Sequence, residues 1–330
     1  MKCKRFKGII TSSQMAVFIS STFMFSQAAA VDCYDVITAP TILTQDLTCE
    51  LTAENPIALT IVGPFGSLSM NGRQLNCIYD SEDEDQWAGI LIEGASGLVN
   101  GGGIVGCPDG VHVKGAGSHS VNNMEILDFE DDGVLVESDN NLVSGNQIIG
   151  QGLAIIGDGV DANGHFTTIV ENYIEGAGDE GVEIDGEYVK VISNHIVGSG
   201  QDGVEVDADF AVVRANILEN NGSDGVEIVE DFSSVSQNYV FGNVDDGIEF
   251  SGGSDNLVSQ NIVVNNGRVG ETDSAGIIIS NVGSINNTIF GNIAFGNINY
   301  DLRDEFDPDC TGSNSWLANT FGTADPPCLN

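Results

Sequence analysis

The chain is built from short runs in which apolar and polar residues alternate. In residues 181–185, with the sequence Gly-Val-Glu-Ile-Asp, Val182 and Ile184 flank Glu183. A period of two predicts a β-strand that buries its apolar side chains and turns the polar side chain outward. Near-copies begin at Gly89, Gly110, Gly133, Gly159, Gly203, Gly225, Gly247 and Gly276. Their spacing of 21 to 29 residues, most often 22, indicates that one structural unit is repeated along the chain.

A second pattern follows these runs, with the form Val/Ile-x-x-Asn-x-Ile, as in residues 191–196. Gly, Asn, Asp and Ser separate the apolar stretches, and these residue types favour turns. A unit of about 22 residues with two or three short strands and no helical period is typical of a parallel β-solenoid. A leucine-rich repeat would need a leucine framework, and a propeller blade would need about 40 residues. We therefore predict an all-β parallel solenoid.

An asparagine stands at the same place in each second pattern. We expect these side chains to form a ladder of amides that satisfies backbone groups in the turns, which is a structural role. The predicted ladder consists of Asn123, Asn146, Asn172, Asn194, Asn216, Asn238, Asn261 and Asn292.

Residues 57–298 resemble the right-handed parallel β-helix repeat family, which includes pectate-lyase-like carbohydrate enzymes and periplasmic proteins of the NosD type. The run Asn-Gly-Arg-Gln-Leu at 71–75 is similar to the Leu-x-Leu-Asn-Gly-x-x-Leu phrase of first coils in that family. The resemblance implies a right-handed coil. It does not imply one activity, because this fold carries lyases, hydrolases, epimerases, adhesins and accessory proteins.

The pattern divides the chain into four segments. Residues 1–30 combine a basic start, an apolar run and three alanines, and we predict a secretory signal peptide. An uncleaved membrane anchor is the alternative, although the run is shorter than the ~20 apolar residues of a spanning helix. We assign residues 31–86 to N-terminal coils or a cap, 87–298 to the repeats and 299–330 to a capping segment. The predicted location is extracellular or periplasmic, without a membrane span, and the oligomeric state is not indicated.

Six cysteines follow the predicted signal peptide, and all lie near the two ends of the chain. An even number in an exported chain indicates disulfides. A zinc site is the weaker alternative, because no Cys-x-x-Cys pair is present. We predict that nearest neighbours are joined, as Cys33–Cys49, Cys77–Cys107 and Cys310–Cys328, so that the pairs staple the ends of the solenoid.

The formal net charge is −39, with 49 acidic residues against 10 lysines and arginines. Such a surface repels nucleic acid and anionic lipid, because phosphate binding requires Lys and Arg. It favours divalent cations or cationic polymers as partners. Adaptation to high salt is an equally good explanation, because carboxylates keep a protein soluble where electrostatic screening is strong.

If every repeat folds alike, equivalent residues form columns with a spacing of about 4.8 Å. The first outward column is His112, Leu135, Asp161, Glu183, Glu205, Glu227 and Glu249. A second outward column is Lys114, Glu137, Asn163, Asp185, Asp207, Val229 and Ser251. The third column precedes each glycine and is Asp109, Asp132, Asp158, Glu180, Asp202, Asp224 and Asp246. Together the columns predict an acidic sheet face.

Stacked carboxylates repel one another unless cations lie between them. Calcium takes oxygen ligands, and we predict calcium between coils. The candidate ligands are Asp161, Glu183, Asp185, Glu205, Asp207, Glu227, Glu249, Asp202, Asp224 and Asp246. A solvated, partly protonated face is the alternative, and Asp-Gly is also ordinary turn chemistry. No organic cofactor is expected.

Candidate groups for acid–base chemistry are few. His112 and Lys114 share a strand, and Asp132 lies in the adjacent repeat. Tyr173, His195 and Tyr239 follow ladder asparagines and are candidate sugar contacts. Surface ion pairs with nearby acids are the favoured explanation of the first set, and ordinary same-face packing of a sheet is the favoured explanation of the second. The sequence therefore supports two functions: a non-catalytic exported solenoid for adhesion, surface structure or cation binding, and a lyase, hydrolase or epimerase acting on an extracellular polysaccharide.

Overall fold

The computed structural model describes residues 30–80, 87–151, 157–268 and 274–329. Residues 1–29 of the predicted signal peptide and the acidic run at 81–85 lie outside these ranges. The described chain is an all-β parallel solenoid whose turns stack into three long sheets of 13, 12 and 12 strands. The predicted fold class is confirmed, with one strand of each sheet in each coil.

The first sheet, sheet A, contains the Gly-Val-x-Val runs. Its strands, in spatial order, are Val36–Ile37, Ile57–Val62, Ala88–Glu93, Asp109–Val113, Val134–Val136, Val160–Ala162, Val182–Ile184, Val204–Val206, Val226–Ile228, Ile248–Phe250, Ala275–Ile279, Tyr300–Asp304 and Ala324–Asp325.

The second pattern contributes two strands, which belong to different sheets. Sheet B consists of Pro40–Ile42, Ser67–Ser69, Leu98–Asn100, Ser120–Asn122, Leu142–Ser144, Thr168–Val170, Lys190–Ile192, Val212–Arg214, Ser234–Ser236, Leu257–Ser259, Thr288–Phe290 and Ser315–Leu317. Sheet C consists of Leu47–Glu50, Gln74–Ile78, Gly103–Val105, Glu125–Leu127, Gln147–Ile149, Tyr173–Glu175, His195–Val197, Ile217–Glu219, Tyr239–Phe241, Ile262–Val264, Ile293–Phe295 and Thr320–Phe321. The chain bends between the two sheets at a residue with positive φ, such as Ser193 (φ 56°).

The core is a continuous apolar column along the solenoid axis. Val182 and Ile184 of sheet A, Val191 of sheet B and Ile196 of sheet C are each completely buried. Burying one Val or Ile side chain stabilises a fold by about 1.5–3 kcal/mol. Because each coil repeats these positions, the period-two pattern is sufficient to place the core.

The asparagine ladder lies at the bend between sheets B and C and is buried. Oδ1 of Asn216 accepts hydrogen bonds from the backbone N–H of Asn194 at 2.8 Å and from its Nδ2 at 3.2 Å. The prediction was wrong for Asn123, which is exposed with φ 51°, while Met124 occupies the buried position. In this coil the ladder position is one residue later than predicted, because the backbone N–H of Met124 donates to Oδ1 of Asn146.

Further buried ladders went unpredicted. One consists of Asn221, Asn243, Asn266 and Asn297. Another links Ser233, Asn256, Asn287 and Asn314 through backbone N–H donors. Each corner of the coil therefore has its own polar stack, because backbone groups at a bend cannot all pair within a sheet.

Disulfides reinforce the two ends. The structure joins Cys33 to Cys49, Cys77 to Cys107 and Cys310 to Cys328. Residues 300–325 continue the three sheets, in parallel register with the preceding coil. The described residues contain no helix of the length and apolarity that a membrane span requires.

Candidate functional site

The first predicted column is present in the structure. Strand pairing places Asp161 beside Glu183, Glu183 beside Glu205, and so on to Glu249. These side chains are half-buried. We call Glu183, Glu205, Glu227 and Glu249 the glutamate column.

The third predicted column is buried, which corrects the expectation that it forms part of an open acidic face. Its members are 1–8% exposed, and we call them the acidic ladder: Asp109, Asp132, Asp158, Glu180, Asp202, Asp224 and Asp246. The physical reason is that they lie at the corner before each sheet A strand. There their side chains accept hydrogen bonds from the backbone of the next coil, as Asp132 does from the N–H of Asp158 at 2.9 Å.

The acidic ladder and the glutamate column meet in repeated groups of three. Carboxylate oxygens within each group lie within 4.8 Å of one another. Three groups join two ladder acids to one column glutamate: Glu180–Asp202–Glu205, Asp202–Asp224–Glu227 and Asp224–Asp246–Glu249. Two further groups are Asp161–Glu183–Asp185 and Asp109–Asp131–Asp132. Nine of the ten predicted calcium ligands fall in these groups; Asp207 does not. The predicted calcium ligands did not include the other four members, Glu180, Asp109, Asp131 and Asp132, although all except Asp131 directly precede a glycine.

Burial makes these carboxyl groups hard to ionise. It raises the pKa of Asp202 and of Asp246 to about 8. The pKa of Glu205 is raised to about 8 by burial and then by the nearby Asp207 and Glu180. The pKa of Asp224 is raised well above its ordinary value, first by burial and then by the charges of its ladder neighbours. At neutral pH these groups therefore require protons or a cation.

Basic side chains do not neutralise the centre of the ladder. Among the described residues, the structure records no ion pair of a lysine or arginine with Asp202, Asp224 or Glu227. The arginine pair that it records is Arg303 with Glu305, at 2.9 Å.

The candidate acid–base residues lie at the N-terminal end of the same corner. His112 lies in register with Leu135 of the outward column, as predicted, but neighbouring side chains cover it and leave only 3% of it exposed. Its Nε2 lies 2.6 Å from Oε2 of Glu137, and its Nδ1 lies 3.6 Å from Oδ2 of Asp109. Burial lowers the pKa of His112 and raises the pKa of Asp132 to about 7. Lys114 is half-buried two residues further along the chain from His112.

The candidate sugar contacts form a column on sheet C. Tyr173 pairs with His195, and their rings meet edge to face with centroids 5.2 Å apart. Ile217 lies between His195 and Tyr239 in this column. The three predicted residues therefore share one face of the solenoid but do not form a continuous aromatic surface.

A different aromatic stack escaped the sequence prediction. Phe166, Tyr188, Phe210 and Phe232 stack in parallel with centroid separations of 4.9, 4.8 and 5.2 Å. All four have positive φ, between 58° and 62°, at the turn from sheet A to sheet B. Their regular spacing in the sequence is the signal that could have found them.

Two surface depressions form a groove along sheet C. One has a volume of about 520 Å³ and is lined by Asp46, Gly72, Arg73, Gln74, Gly102, Gly103, Asn123, Met124, Glu125, Gly145 and Gln147. The other, of about 550 Å³, is lined by Gly145, Asn146, Gln147, Glu171, Tyr173 and Glu175. The shared Gly145 and Gln147 make the two depressions contiguous. Tyr173 lies at one end.

Known proteins share the fold of this chain. The family model described as "Right handed beta helix region" matches residues 154–303. No curated protein sequence matches the chain.

Three solved structures, each 14% identical in sequence, are similar to it. The A-module of the Azotobacter vinelandii mannuronan C-5 epimerase AlgE4 has a TM-score of 0.61, with 87% of both chains covered. The periplasmic alginate epimerase AlgG has a TM-score of 0.58, with 86% of this chain and 74% of that chain covered. The Dettilon tailspike protein gp208 has a TM-score of 0.59, with 87% of this chain covered. This chain spans 59% of the tailspike's length.

These likenesses concern the fold. The resemblance to the right-handed parallel β-helix repeat family is therefore confirmed, by sequence over residues 154–303 and by three parallel sheets that run from Val36 to Asp325.

Proposed function

We propose that this protein is an exported, non-catalytic β-helix that binds calcium ions along its acidic corner. The observation that carries the proposal is the repetition of one carboxylate group in successive coils: two ladder acids and one column glutamate, with oxygens within 4.8 Å of one another. Turn chemistry alone explains the ladder acids but not the glutamates. The predicted signal peptide and the disulfides support export to an oxidising compartment.

The geometry suits calcium. Two oxygens that bind one Ca²⁺ at about 2.3–2.6 Å can lie at most about 5 Å apart. Adjacent groups share Asp202 or Asp224. Ions would therefore occupy a row parallel to the solenoid axis, with water completing the coordination. Each bound ion neutralises carboxylates that burial otherwise forces to take up protons.

Direct titration tests this proposal. We expect calcium binding to the full chain by isothermal titration calorimetry, and fewer or weaker sites in Asp224→Asn, because Asp224 belongs to two groups. Asp209→Asn is the matched control. Oδ1 of Asp209 also accepts a backbone hydrogen bond, from Asp231 at 3.0 Å, but Asp209 lies outside the carboxylate groups found among the described residues. Equal binding by both variants, or none by the wild type, would contradict the proposal.

The groove on sheet C favours a second function, the binding or modification of an extracellular polysaccharide. Glycines leave its floor open, while Glu125, Glu171 and Tyr173 supply polar and aromatic contacts. Sugar rings commonly need this combination of hydrogen bonds and an apolar surface. The similar folds of two alginate epimerases support the choice of alginate as the first polysaccharide to test.

Binding and turnover of an oligosaccharide panel, with and without calcium, test this second function. Tyr173→Ala should weaken binding, whereas Tyr239→Ala, which lies in the same sheet C column but outside the groove, should not. Turnover would identify an enzyme. Failure of every oligosaccharide to bind would exclude this function and leave calcium binding unaffected.

A further inference from the structure

Asp109 and His112 present two buried, unsatisfied atoms to each other. Both residues belong to the strand Asp109–Val113 and are 1% and 3% exposed. Oδ2 of Asp109 and Nδ1 of His112 have no hydrogen-bond partner among the described residues and lie 3.6 Å apart. A direct N–H···O hydrogen bond would need a separation of about 2.7–3.2 Å. Unpaired polar atoms in a buried site are costly, so an explanation is required.

The other hydrogen bonds of the two residues determine what these atoms can do. Nε2 of His112 lies 2.6 Å from Oε2 of Glu137, and we assign a proton to Nε2 because an ionised carboxylate can only accept a hydrogen bond. In the neutral ring, Nδ1 then carries a lone pair directed towards Asp109. Oδ1 of Asp109 accepts the backbone N–H of Asp132 at 3.3 Å, which leaves Oδ2 available.

We propose that Asp109 and His112, together with the adjacent Asp131 and Asp132, bind a divalent transition-metal ion of the zinc type. Ligands of a tetrahedral zinc ion, with bonds of about 2.0–2.1 Å, lie roughly 3.3–3.5 Å apart, close to the observed separation of 3.6 Å. The carboxylates of Asp131 and Asp132 group with that of Asp109 within 4.8 Å. His112 is not a member of that group, so the two carboxylates would have to move towards its Nδ1 to share one ion with it.

The ring nitrogen distinguishes this site from the calcium row. Imidazole favours zinc, copper and nickel, whereas calcium takes oxygen ligands. Glu137 has the position of the carboxylate that commonly accepts the second N–H of a metal-bound histidine, which fixes the ring and increases its basicity. The carboxylate groups proposed to bind calcium between Glu180 and Glu249 include none of the four residues of this site, Asp109, His112, Asp131 and Asp132. The two proposals can therefore fail separately.

Zinc uptake by the full, disulfide-bonded chain tests the inference. Chelator-treated protein is dialysed against Zn²⁺ in excess Ca²⁺, and bound zinc is measured. We expect one zinc ion per chain that calcium does not displace, and loss of that ion in His112→Gln. The matched control is His195→Gln, which should retain zinc. His195 also contacts a glutamate, Glu219, through Nε2 at 2.8 Å, but no aspartate in the described part of the chain forms an ion pair with its Nδ1.

Two further measurements keep the result interpretable. Glu137→Gln should retain the site with roughly 10–100-fold weaker zinc binding. X-ray absorption of the zinc-loaded wild type should show an imidazole ligand, whatever the stability of the His112 variant. Retention of zinc by a folded His112→Gln chain, displacement of zinc by calcium, or an all-oxygen zinc shell would each overturn the proposal.

Discussion

Oδ1 of Asp202 accepts a hydrogen bond from the backbone N–H of Asp224, one coil further along the solenoid, at 2.6 Å. Asp224 accepts the corresponding bond from Asp246 at 2.5 Å. One carboxylate oxygen thus satisfies the backbone of the next coil, while the second remains available to a proton, a neighbouring glutamate or a cation. An asparagine could perform the first role but carries no charge for the second.

The stability of the calcium-free protein should fall as the pH rises from about 4 to about 8. The pKa values of Asp202, Glu205 and Asp246 are about 8 in the folded chain, against an ordinary value near 4 in the unfolded chain. The folded state therefore retains protons that the unfolded state has released. Their contribution to stability is complete below pH ~4 and is lost as the pH rises through the folded pKa values.

Thermal unfolding at pH 5.0 and 8.5, in chelator at fixed ionic strength, measures this effect. We expect the lower melting temperature at pH 8.5, and its recovery with millimolar CaCl₂ because the ion binds only the folded state. NaCl of equal ionic strength is the control. Recovery by NaCl to the same extent would instead support salt adaptation, and a higher melting temperature at pH 8.5 in chelator would contradict the pKa argument.

Asp224→Asn should stabilise the calcium-free protein at pH 8.5 while it weakens calcium binding. The amide oxygen can still accept the backbone N–H of Asp246, and the substitution removes the free-energy cost of keeping a carboxyl group protonated, or charged, among its buried acidic neighbours. We expect a gain of about 1 kcal/mol or more by urea unfolding, with little change in Asp209→Asn. A loss of stability in Asp224→Asn would show that the carboxylate itself is required.

Replacement of a ladder asparagine should be strongly destabilising. Asn216 links the backbone and side chain of Asn194 to the carbonyl of Val191 and to Asn238. Asn216→Leu leaves several buried groups unpaired, at about 1–3 kcal/mol each, so we expect a loss of ~3 kcal/mol or more in urea unfolding. Gln147→Leu, an exposed sheet C position beside Asn146, is the control and should change stability by less than ~0.5 kcal/mol.

The aromatic stack should contribute to stability against the preference of its backbone. Phe210 stacks on Tyr188 and Phe232 but has φ 62°, which is unfavourable for a residue with a Cβ atom. Phe210→Ala loses both contacts, each worth about 0.5–1.5 kcal/mol.

Phe210→Gly loses the same contacts but relieves the backbone, so we expect it to be about 1 kcal/mol more stable than Phe210→Ala. Phe65→Ala, at a side chain that is 73% exposed, controls for surface truncation. Equal stability of the alanine variant and the wild type would remove any role of the stack in stability.

The periodicity of the sequence was sufficient to predict the repeat and the parallel stacking of its coils. It also predicted the alignment of Glu183 with Glu205 and Glu227, because a side chain in a strand must point to one face or the other. It was insufficient at the corners. The one-residue error at Asn123 and Met124, and the division of the second pattern between two sheets, both occurred where the chain bends and alternation no longer indicates direction.

The amino-acid sequence by itself thus determined the solenoid, the ends that the cysteines staple and the columns of acidic residues. Only the tertiary structure decided that Asp202, Asp224 and His112 are buried and which atoms face one another. The physical reason is that a carboxyl group is buried only when the coils on both sides of it have stacked. That burial raises its pKa and can leave its polar atoms without partners. The need for a proton or a cation is therefore a property of the stacked coils rather than of a single repeat.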